Sequence, residues 1–252
     1  MLHPPPLLAR ALEPLISAVW LFFVVWSVVV AVLWMGGEQA VPFIANDGLR
    51  AAAMVVVKAS DTLWLLLAAA SLYLNLAAEH GLARARVLAL TIVVVAGVIA
   101  ASSTATDYPL GSVVYTTRLG MKLGPVPLGW PLLWFVVVVG GRELAALIFP
   151  RASHAWLALL TGAGGLLMDL NLEAIATKFR LFWFWYVSGT HQPASPLWRN
   201  YAVWFIATGA LAWLLREPSV AAPRPSSRRP AMVFVIVNLL LLVGHLRAAF
   251  SG

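Results

Sequence analysis

Two carboxylic acids stand four residues apart in an apolar stretch of the chain, Asp169-Leu170-Asn171-Leu172-Glu173. In an α-helix, side chains at this spacing lie on the same face, one turn apart. Two carboxyl groups that close in a medium of low dielectric constant do not both ionise readily, so one of them keeps a proton and suits a general acid. The alternative, which the spacing alone favours, is a helix end where both carboxylates are solvated.

Arg142 and Glu143 form a second charged pair, within the apolar run 127–149. If the run is one helix, the pair lies at membrane depth, where the two side chains neutralise each other or pair with other helices. If Gly140-Gly141 breaks the helix, the pair lies among lipid headgroups. Asp61 comes just before an apolar run and is interpreted as a helix N-cap.

The chain offers no pattern for a metal or a cofactor. It contains no Cys, which excludes disulfides, thiolate catalysis and cysteine-ligated metals. Its five histidines include no pair at a spacing such as H-x-x-x-H, and the sequence contains no P-loop, nucleophile elbow or dinucleotide fingerprint. Because the known ligand spacings are missing, we do not expect a metal site.

Membrane helices are the elements that would position these residues. Hydrophobic residues make up 62% of the 252-residue chain and charged residues 11%, against about 25% charged in a typical globular protein. Apolar runs of about 20 residues, the length that spans a bilayer, occur at Leu15–Met35, Asp61–Ala78, Arg86–Ser102, Pro127–Phe149, His154–Leu170, Trp198–Leu215 and Ala231–Phe250. The sequence predicts an all-α, polytopic transmembrane helix bundle of about seven spans, forming a single integral membrane domain over residues 1–252.

Three shorter segments complete the predicted organisation. Ala51–Val57 extends the second span or lies at the membrane interface. Phe179–Val187 is aromatic and too short to span, so we expect an interfacial or re-entrant element there. The segment 216–230 is rich in Arg, Pro and Ser and is interpreted as a cytoplasmic loop. The net charge of +7 thus reflects basic loops between apolar runs, which argues against binding to nucleic acid.

Aromatic side chains crowd the region that follows the two acids. These are Phe179, Phe182, Trp183, Phe184, Trp185 and Tyr186, followed by Trp198, Tyr201, Trp204 and Phe205. One interpretation, which the pattern alone favours, is an interfacial aromatic belt. The other is an aromatic-walled slot for a long apolar ligand, in which ring faces stabilise a passing carbocation.

Two blocks of the sequence carry a family resemblance. The first contains Thr106-Asp107-Tyr108-Pro109-Leu110-Gly111, Tyr115-Thr116, Leu119-Gly120, Val126-Pro127, Pro131-Leu132 and Trp134-Phe135. The second contains Asp169, Glu173, Trp183, Trp185, Pro196, Asn200-Tyr201 and Trp204. In this order, over residues 100–205, the blocks resemble the membrane carotenoid 1′,2′-hydratases, which include bacterial γ-carotene and lycopene hydratases and the archaeal bisanhydrobacterioruberin hydratase.

The resemblance implies a cofactor-free hydro-lyase of carotenoid biosynthesis. Such an enzyme adds water across the terminal 1′,2′ double bond of an acyclic ψ-end group and gives a tertiary alcohol. An unactivated alkene must first be protonated, which requires a neutral carboxylic acid, and burial can supply one. The resemblance also implies a carotenoid substrate from the bilayer, contacts with lipid, association with other carotenoid-pathway membrane enzymes, and a location in a prokaryotic inner membrane.

The resemblance also suggests roles for individual residues. Asp169 is the leading general acid, Glu173 tunes or relays its proton, and Asp107 is the alternative acid. Asn200 and Tyr115 orient water. The pocket for the end group is lined by Trp183, Trp185, Trp204, Phe135, Tyr201 and Tyr186.

The sequence departs from the family pattern in ways that leave other functions open. The segment Ala100–Thr104 has Ala and Ser where the family has a Glu, and Asp107 stands where the family has Gly. If the Glu is the acid in relatives, its role has moved here or is lost. A lost acid would fit a non-catalytic carotenoid-binding or assembly subunit. A small transporter is a third possibility, but it predicts repeated halves with broken helices, which the sequence lacks.

Overall fold

The computed structural model describes residues 6–190, 192–215 and 227–250. Most of the predicted basic loop, 216–230, lies outside these ranges, as does His191. The helices are α1 Pro6–Val32, α2 Glu38–Ala40, α3 Asp47–His80, α4 Leu82–Thr106, α5 Gly129–Phe135, α6 Gly141–Ile148, α7 His154–Ala174, α8 Trp198–Leu214 and α9 Arg229–Phe250. Leu33–Gly37, Val136–Gly140 and Ile175–Phe179 are π-helical, and Val41–Phe43 is a 3₁₀ turn. The strands are β1 Val113–Tyr115, β2 Lys122–Leu123, β3 Val126–Pro127 and β4 Trp183–Trp185.

The helices confirm the predicted all-α, polytopic membrane bundle. Six helical segments of the described ranges are long and apolar enough to cross a membrane: Leu8–Phe43, Asp47–His80, Leu82–Thr106, Gly129–Ile148, His154–Phe179 and Arg229–Ala249. The remaining predicted span, Trp198–Leu215, forms α8, whose 17 residues extend only about 26 Å. That is shorter than the hydrocarbon core of about 30 Å. By length and composition, the described residues therefore give six spans where the sequence predicted about seven.

Helix α3 begins well before the second predicted span. Asn46 caps it by accepting a hydrogen bond from the amide of Leu49 at 2.9 Å. Ala51–Val57 therefore extends this helix. The interpretation of Asp61 as an N-cap is wrong, because Asp61 lies in the helix interior and is buried. No Gly or Pro stands between Leu49 and Asp61 to interrupt the helix.

The central helical segment continues through Gly140-Gly141. Both glycines have α-helical backbone angles, so they do not break the helix. Arg142 and Glu143 are consequently buried, and Arg142 Nη1 donates to Glu143 Oε1 at 2.9 Å. A Cβ on Gly140 would lie 2.9 Å from the Cβ of Phe234 in α9. The glycine thus permits close packing of α9 rather than ending the helix.

Four short strands lie in the connections between α4 and α5 and between α7 and α8. Strand β1 pairs antiparallel with β4, which places Tyr115 opposite Trp183, and β2 pairs with β3. The aromatic segment Phe179–Val187, predicted as an interfacial or re-entrant element, therefore contains strand β4. The amide of Phe182 donates to the carbonyl of Ala176 at 2.7 Å, so the chain folds back onto the end of the helix that precedes it.

Helices α7 and α8 approach closely through small residues. A Cβ on Gly162 would lie 2.6 Å from the carbonyl oxygen of Phe205, and a Cβ on Gly165 would lie 2.5 Å from Thr208 Oγ1. Glycine at such positions lets two helix backbones meet. The contact sets the position of α8 relative to the face of α7 that carries the two acids.

We predict that Gly162→Ala lowers the free energy of unfolding by about 1–3 kcal/mol, because the new methyl group meets a backbone carbonyl that cannot yield unless α8 shifts. Gly97→Ala in α4 is the matched control, since a Cβ at Gly97 meets no atom within 4 Å. That change should leave stability unchanged or raise it by up to about 1 kcal/mol. Unfolding in detergent, followed by circular dichroism, measures both, and equal stability of the two variants would contradict the packing described here.

Candidate active site

Two carboxyl groups and one amide form a buried polar centre. Asp169 and Glu173 lie one turn apart on α7 and are 0% and 7% exposed. Asn200 in the first turn of α8 is fully buried and bridges them: its Nδ2 donates to Asp169 Oδ2 at 2.7 Å and to Glu173 Oε1 at 3.3 Å. Because helical structure continues to Phe179, the two acids do not stand at a solvated helix end. We call Asp169 and Glu173 the carboxylate dyad.

Strand β4 supplies two further donors to the dyad. Trp185 Nε1 donates to Glu173 Oε2 at 2.8 Å, and Trp183 Nε1 lies 3.4 Å from the same oxygen. The two indoles point to the same side because they are two residues apart in a strand. Glu173 therefore accepts hydrogen bonds from three side chains on two other elements. Partners of this kind are what a buried carboxyl group requires.

A buried ion pair fixes the chain between α7 and β4. Arg180 is 2% exposed, its Nε donates to Asp61 Oδ2 at 3.0 Å, and its Nη1 pairs with Glu38. Trp34 Nε1 donates to the other oxygen of Asp61, also at 3.0 Å. The network ties α3, α2 and the π-helical segment Leu33–Gly37 to the segment that leads into β4. The network was not predicted from the sequence, although an acid within an apolar run is itself a signal for a buried partner.

Five buried rings pack together and form what we call the aromatic cluster: Tyr115, Trp130, Trp134, Trp183 and Trp204. Trp134 and Trp204 stack with their centroids 4.5 Å apart. Trp130 meets Trp183 and Trp204 edge-on at 5.3 and 5.6 Å. Trp130 and Trp134 were not among the predicted pocket residues. Their spacing of four within an apolar helix, which places two side chains on one face, could have identified them.

Several polar atoms of the dyad, its amide and the aromatic cluster are buried without a hydrogen-bond partner among the described residues. They are Tyr115 OH, Trp134 Nε1, Trp204 Nε1, Asp169 Oδ1 and Asn200 Oδ1. Buried polar atoms are nearly always paired, so this concentration indicates a place for a polar reactant such as water. Burial, and then the charges of Glu173 and Asp169, raise the pKa of Tyr115 above its usual value. Its hydroxyl therefore keeps its proton and can donate.

An open cleft of about 560 Å³ gives access to the dyad. Glu173 is the dyad member that lines it, and the predicted pocket residues Trp185, Tyr186 and Tyr201 line it as well. Its size is that of a small-molecule pocket. The other walls are Leu170, Ala174, Thr177, Lys178, Phe184, Pro193, Ala194, Ser195 and Pro196. In the described part of the chain, no three His, Asp or Glu side chains are grouped as a metal site requires.

The structure does not bring every predicted site residue to the cleft. Trp183 and Trp204 lie in the aromatic cluster, whereas Phe135 is buried in α5 and makes none of that cluster's described ring contacts. Asp107 follows the end of α4, where it accepts a hydrogen bond from Ser188.

The environment of Asp107 differs from that of the dyad. The hydrogen bonds from Ser188 and Ser112 hold the pKa of Asp107 below its usual value, so it is ionised at neutral pH. Its backbone carbonyl accepts a hydrogen bond from Arg199. In this structure Asp107 therefore joins the end of α4 to the loop after β4 and to α8.

Comparison with known proteins identifies the family of the chain. A family model described as carotenoid biosynthesis protein matches residues 60–251, which include the dyad, Asn200 and the aromatic cluster. The chain belongs to this family. Bisanhydrobacterioruberin hydratase of Haloarcula japonica is 32% identical over 155 residues, which cover 58% of this chain and 50% of that protein. The chain thus spans about half the length of this relative. No solved structure matches the chain. Family membership and the apolar helices together indicate an integral membrane protein of the carotenoid biosynthesis protein family.

We predict that Tyr115→Phe leaves the unfolding temperature unchanged or raises it, because the lost hydroxyl makes no hydrogen bond to another protein group in the described structure. Ser27→Ala is the comparison. It removes the hydroxyl that accepts a hydrogen bond from Trp64 Nε1 at 3.0 Å and leaves that buried donor unpaired. It should destabilise the protein by about 1–3 kcal/mol. Thermal unfolding in detergent measures both, and a loss for Tyr115→Phe as large as that for Ser27→Ala would show that the hydroxyl is paired.

Proposed function

We propose that the protein is a carotenoid 1′,2′-hydratase, which adds water across the terminal double bond of an acyclic ψ-end group. The observation that carries the proposal is the buried dyad of Asp169 and Glu173, bridged by Asn200 and reached from the cleft. Membership of the carotenoid biosynthesis family and the name of the Haloarcula relative support the same reaction. A hydrocarbon dissolved in the bilayer can reach a site that is built among membrane helices. We also propose that the protein lies in a prokaryotic cell membrane.

The proposed reaction begins with a proton transfer to carbon. The double bond joins C1′, which carries two methyl groups, to C2′. Transfer of a proton to C2′ leaves a tertiary cation at C1′, because the more substituted carbon bears the charge better. A water oxygen then bonds to C1′ and the water loses a proton to the dyad. The net change is the addition of one water, and the dyad returns to its starting state without an oxidant or a reductant.

The hydrogen bonds suit the two acids to different roles. Glu173 accepts hydrogen bonds from Asn200, Trp183 and Trp185. N–H donors of this kind favour the ionised form of the Glu173 side chain. Asp169 accepts only from Asn200 among the described residues, so its free Oδ1 is the natural place for the proton that the dyad shares. We therefore propose Asp169 as the proton source. Glu173, which lines the cleft, relays that proton to the substrate and accepts the one released by water.

The aromatic residues suit the cation that forms between the two steps. A ring face within about 6 Å of a cation contributes about 0.5–2 kcal/mol, and the attraction is greatest at the cationic stage of the reaction. Trp185 lies at the wall of the cleft, and Trp183 and Trp204 lie behind it in the aromatic cluster. The Tyr115 hydroxyl and Asn200 Oδ1 are the groups that we propose to orient the attacking water.

Product analysis in a pigmented host tests the proposed activity. The chain would be expressed in a bacterium engineered to accumulate lycopene or γ-carotene, and the pigments separated by chromatography with mass spectrometry. Hydration predicts a more polar pigment that is heavier by one water. Unchanged pigment, with the protein present in the membrane, would contradict hydration of these end groups. Unchanged pigment that co-purifies with the protein would favour a non-catalytic carotenoid-binding subunit.

Substitution of either acid should nearly abolish the product. We expect Asp169→Asn and Glu173→Gln each to lower hydration by about 10²–10⁴-fold, the contribution of a positioned acid or base. Asn171→Ala is the matched control, because Asn171 lies on the same helix between the two acids and donates to the backbone carbonyl of Leu167. It should hydrate at the wild-type rate. Full hydration by Asp169→Asn would remove Asp169 from the mechanism.

A further inference from the structure

The cleft has two unlike rims. Leu170 lies within the span His154–Phe179 and is 46% exposed, close to Leu167 at 60%, so this rim faces the bilayer. Lys178 and Ser195 on the other rim are exposed and polar, and Lys178 lies at the end of the same span. One rim therefore suits an apolar ligand and the other suits water.

The packing of α7 against α8 explains where the cleft opens. The two helices meet at Gly162 and Gly165, where a Cβ would collide with α8. About one and a half to two and a half turns beyond Gly165 on α7, Leu170 and Ala174 line the cleft together with Tyr201 of α8. Large or partly exposed side chains replace the glycines there, so the helices no longer close the space between them.

We infer that the substrate enters the cleft sideways from the bilayer, end first, past Leu170 and Tyr201, while water enters at Lys178 and Ser195. The inference rests on the proposed function and adds the routes by which the substrate and water reach the site. That substrate is an elongated hydrocarbon with a slender acyclic end, and its unreacted length stays in lipid. Hydrocarbon and water meet at Glu173, which lines the cleft between the two rims.

The size of the cleft has a consequence for substrates with two reactive ends. A space of about 560 Å³ accommodates a drug-sized group, and hence the end of a long polyene rather than the whole molecule. Such a substrate leaves the cleft and re-enters with its other end between two hydrations. With substrate in excess, the product hydrated at one end accumulates before the product hydrated at both.

Single-cysteine variants test the two rims, since the chain contains no Cys of its own. Leu170→Cys, Ser195→Cys and the control Leu167→Cys would each carry a nitroxide label in lipid nanodiscs. Oxygen, which partitions into lipid, should increase the spin-relaxation rate of the labels at 170 and 167 most strongly. A water-soluble nickel chelate should relax the label at 195 most strongly. If the label at 170 responds to the chelate as strongly as the label at 195, the rim at Leu170 does not face lipid.

Hydration of lycopene in the same nanodiscs tests the entry route. The label at 170 should slow hydration by at least about tenfold, because it displaces the end group from its reactive position. The label at 167 lies outside the cleft and should not slow it. Equal rates for the two labelled proteins would overturn lateral entry. If the unlabelled wild-type chain hydrates nothing, the proposed function is refuted instead. The contrast between the labels at 170 and 195 still shows which rim faces lipid and which faces water.

Discussion

The burial of two carboxyl groups one turn apart on a membrane helix is the constraint on which the rest of the structure depends. An unpaired carboxylate is too costly at membrane depth to persist, so every donor that reaches the dyad stabilises the fold as well as the site. Asn200 joins α7 to α8, and Trp185 joins α7 to β4. The same hydrogen bonds distinguish the two acids, because Glu173 receives three donors and Asp169 receives one among the described residues.

The donors are held in place by close packing and by a buried ion pair. Gly162 fixes the approach of α8, and therefore the position of Asn200. The Arg180–Asp61 pair ties the chain before β4 to α3, and therefore supports the indoles that bind Glu173. Chemistry on a hydrocarbon that lacks polar handles needs such a preformed site, because shape and ring contacts are the main sources of recognition available near its end. In the mechanism that we propose, a cleft with one apolar and one polar rim brings hydrocarbon and water to the same carboxyl group.

The membrane bundle could be predicted from the length of the apolar runs. The pairing of Asp169 with Glu173 could be predicted from helical spacing within one segment. The placement of Asn200 and Trp185 beside them followed from a family resemblance, not from spacing. Asp61 was misassigned because a cap is a local pattern, whereas its partner Arg180 lies 119 residues away. Strand β4 could not be foreseen either, since an aromatic run of that length is compatible with an interfacial helix, and its pairing with β1 is a long-range contact.

In the proposed reaction, the dyad transfers a proton to a carbon atom of the substrate. Hydration of lycopene by the purified protein in D₂O tests it most directly, with the product analysed by mass spectrometry and NMR after the hydroxyl deuterium has been exchanged back. We expect one deuterium retained on C2′, beside the new tertiary alcohol, and almost no labelled product from Asp169→Asn. A hydrated product without deuterium on carbon would contradict acid-catalysed addition of water by this site.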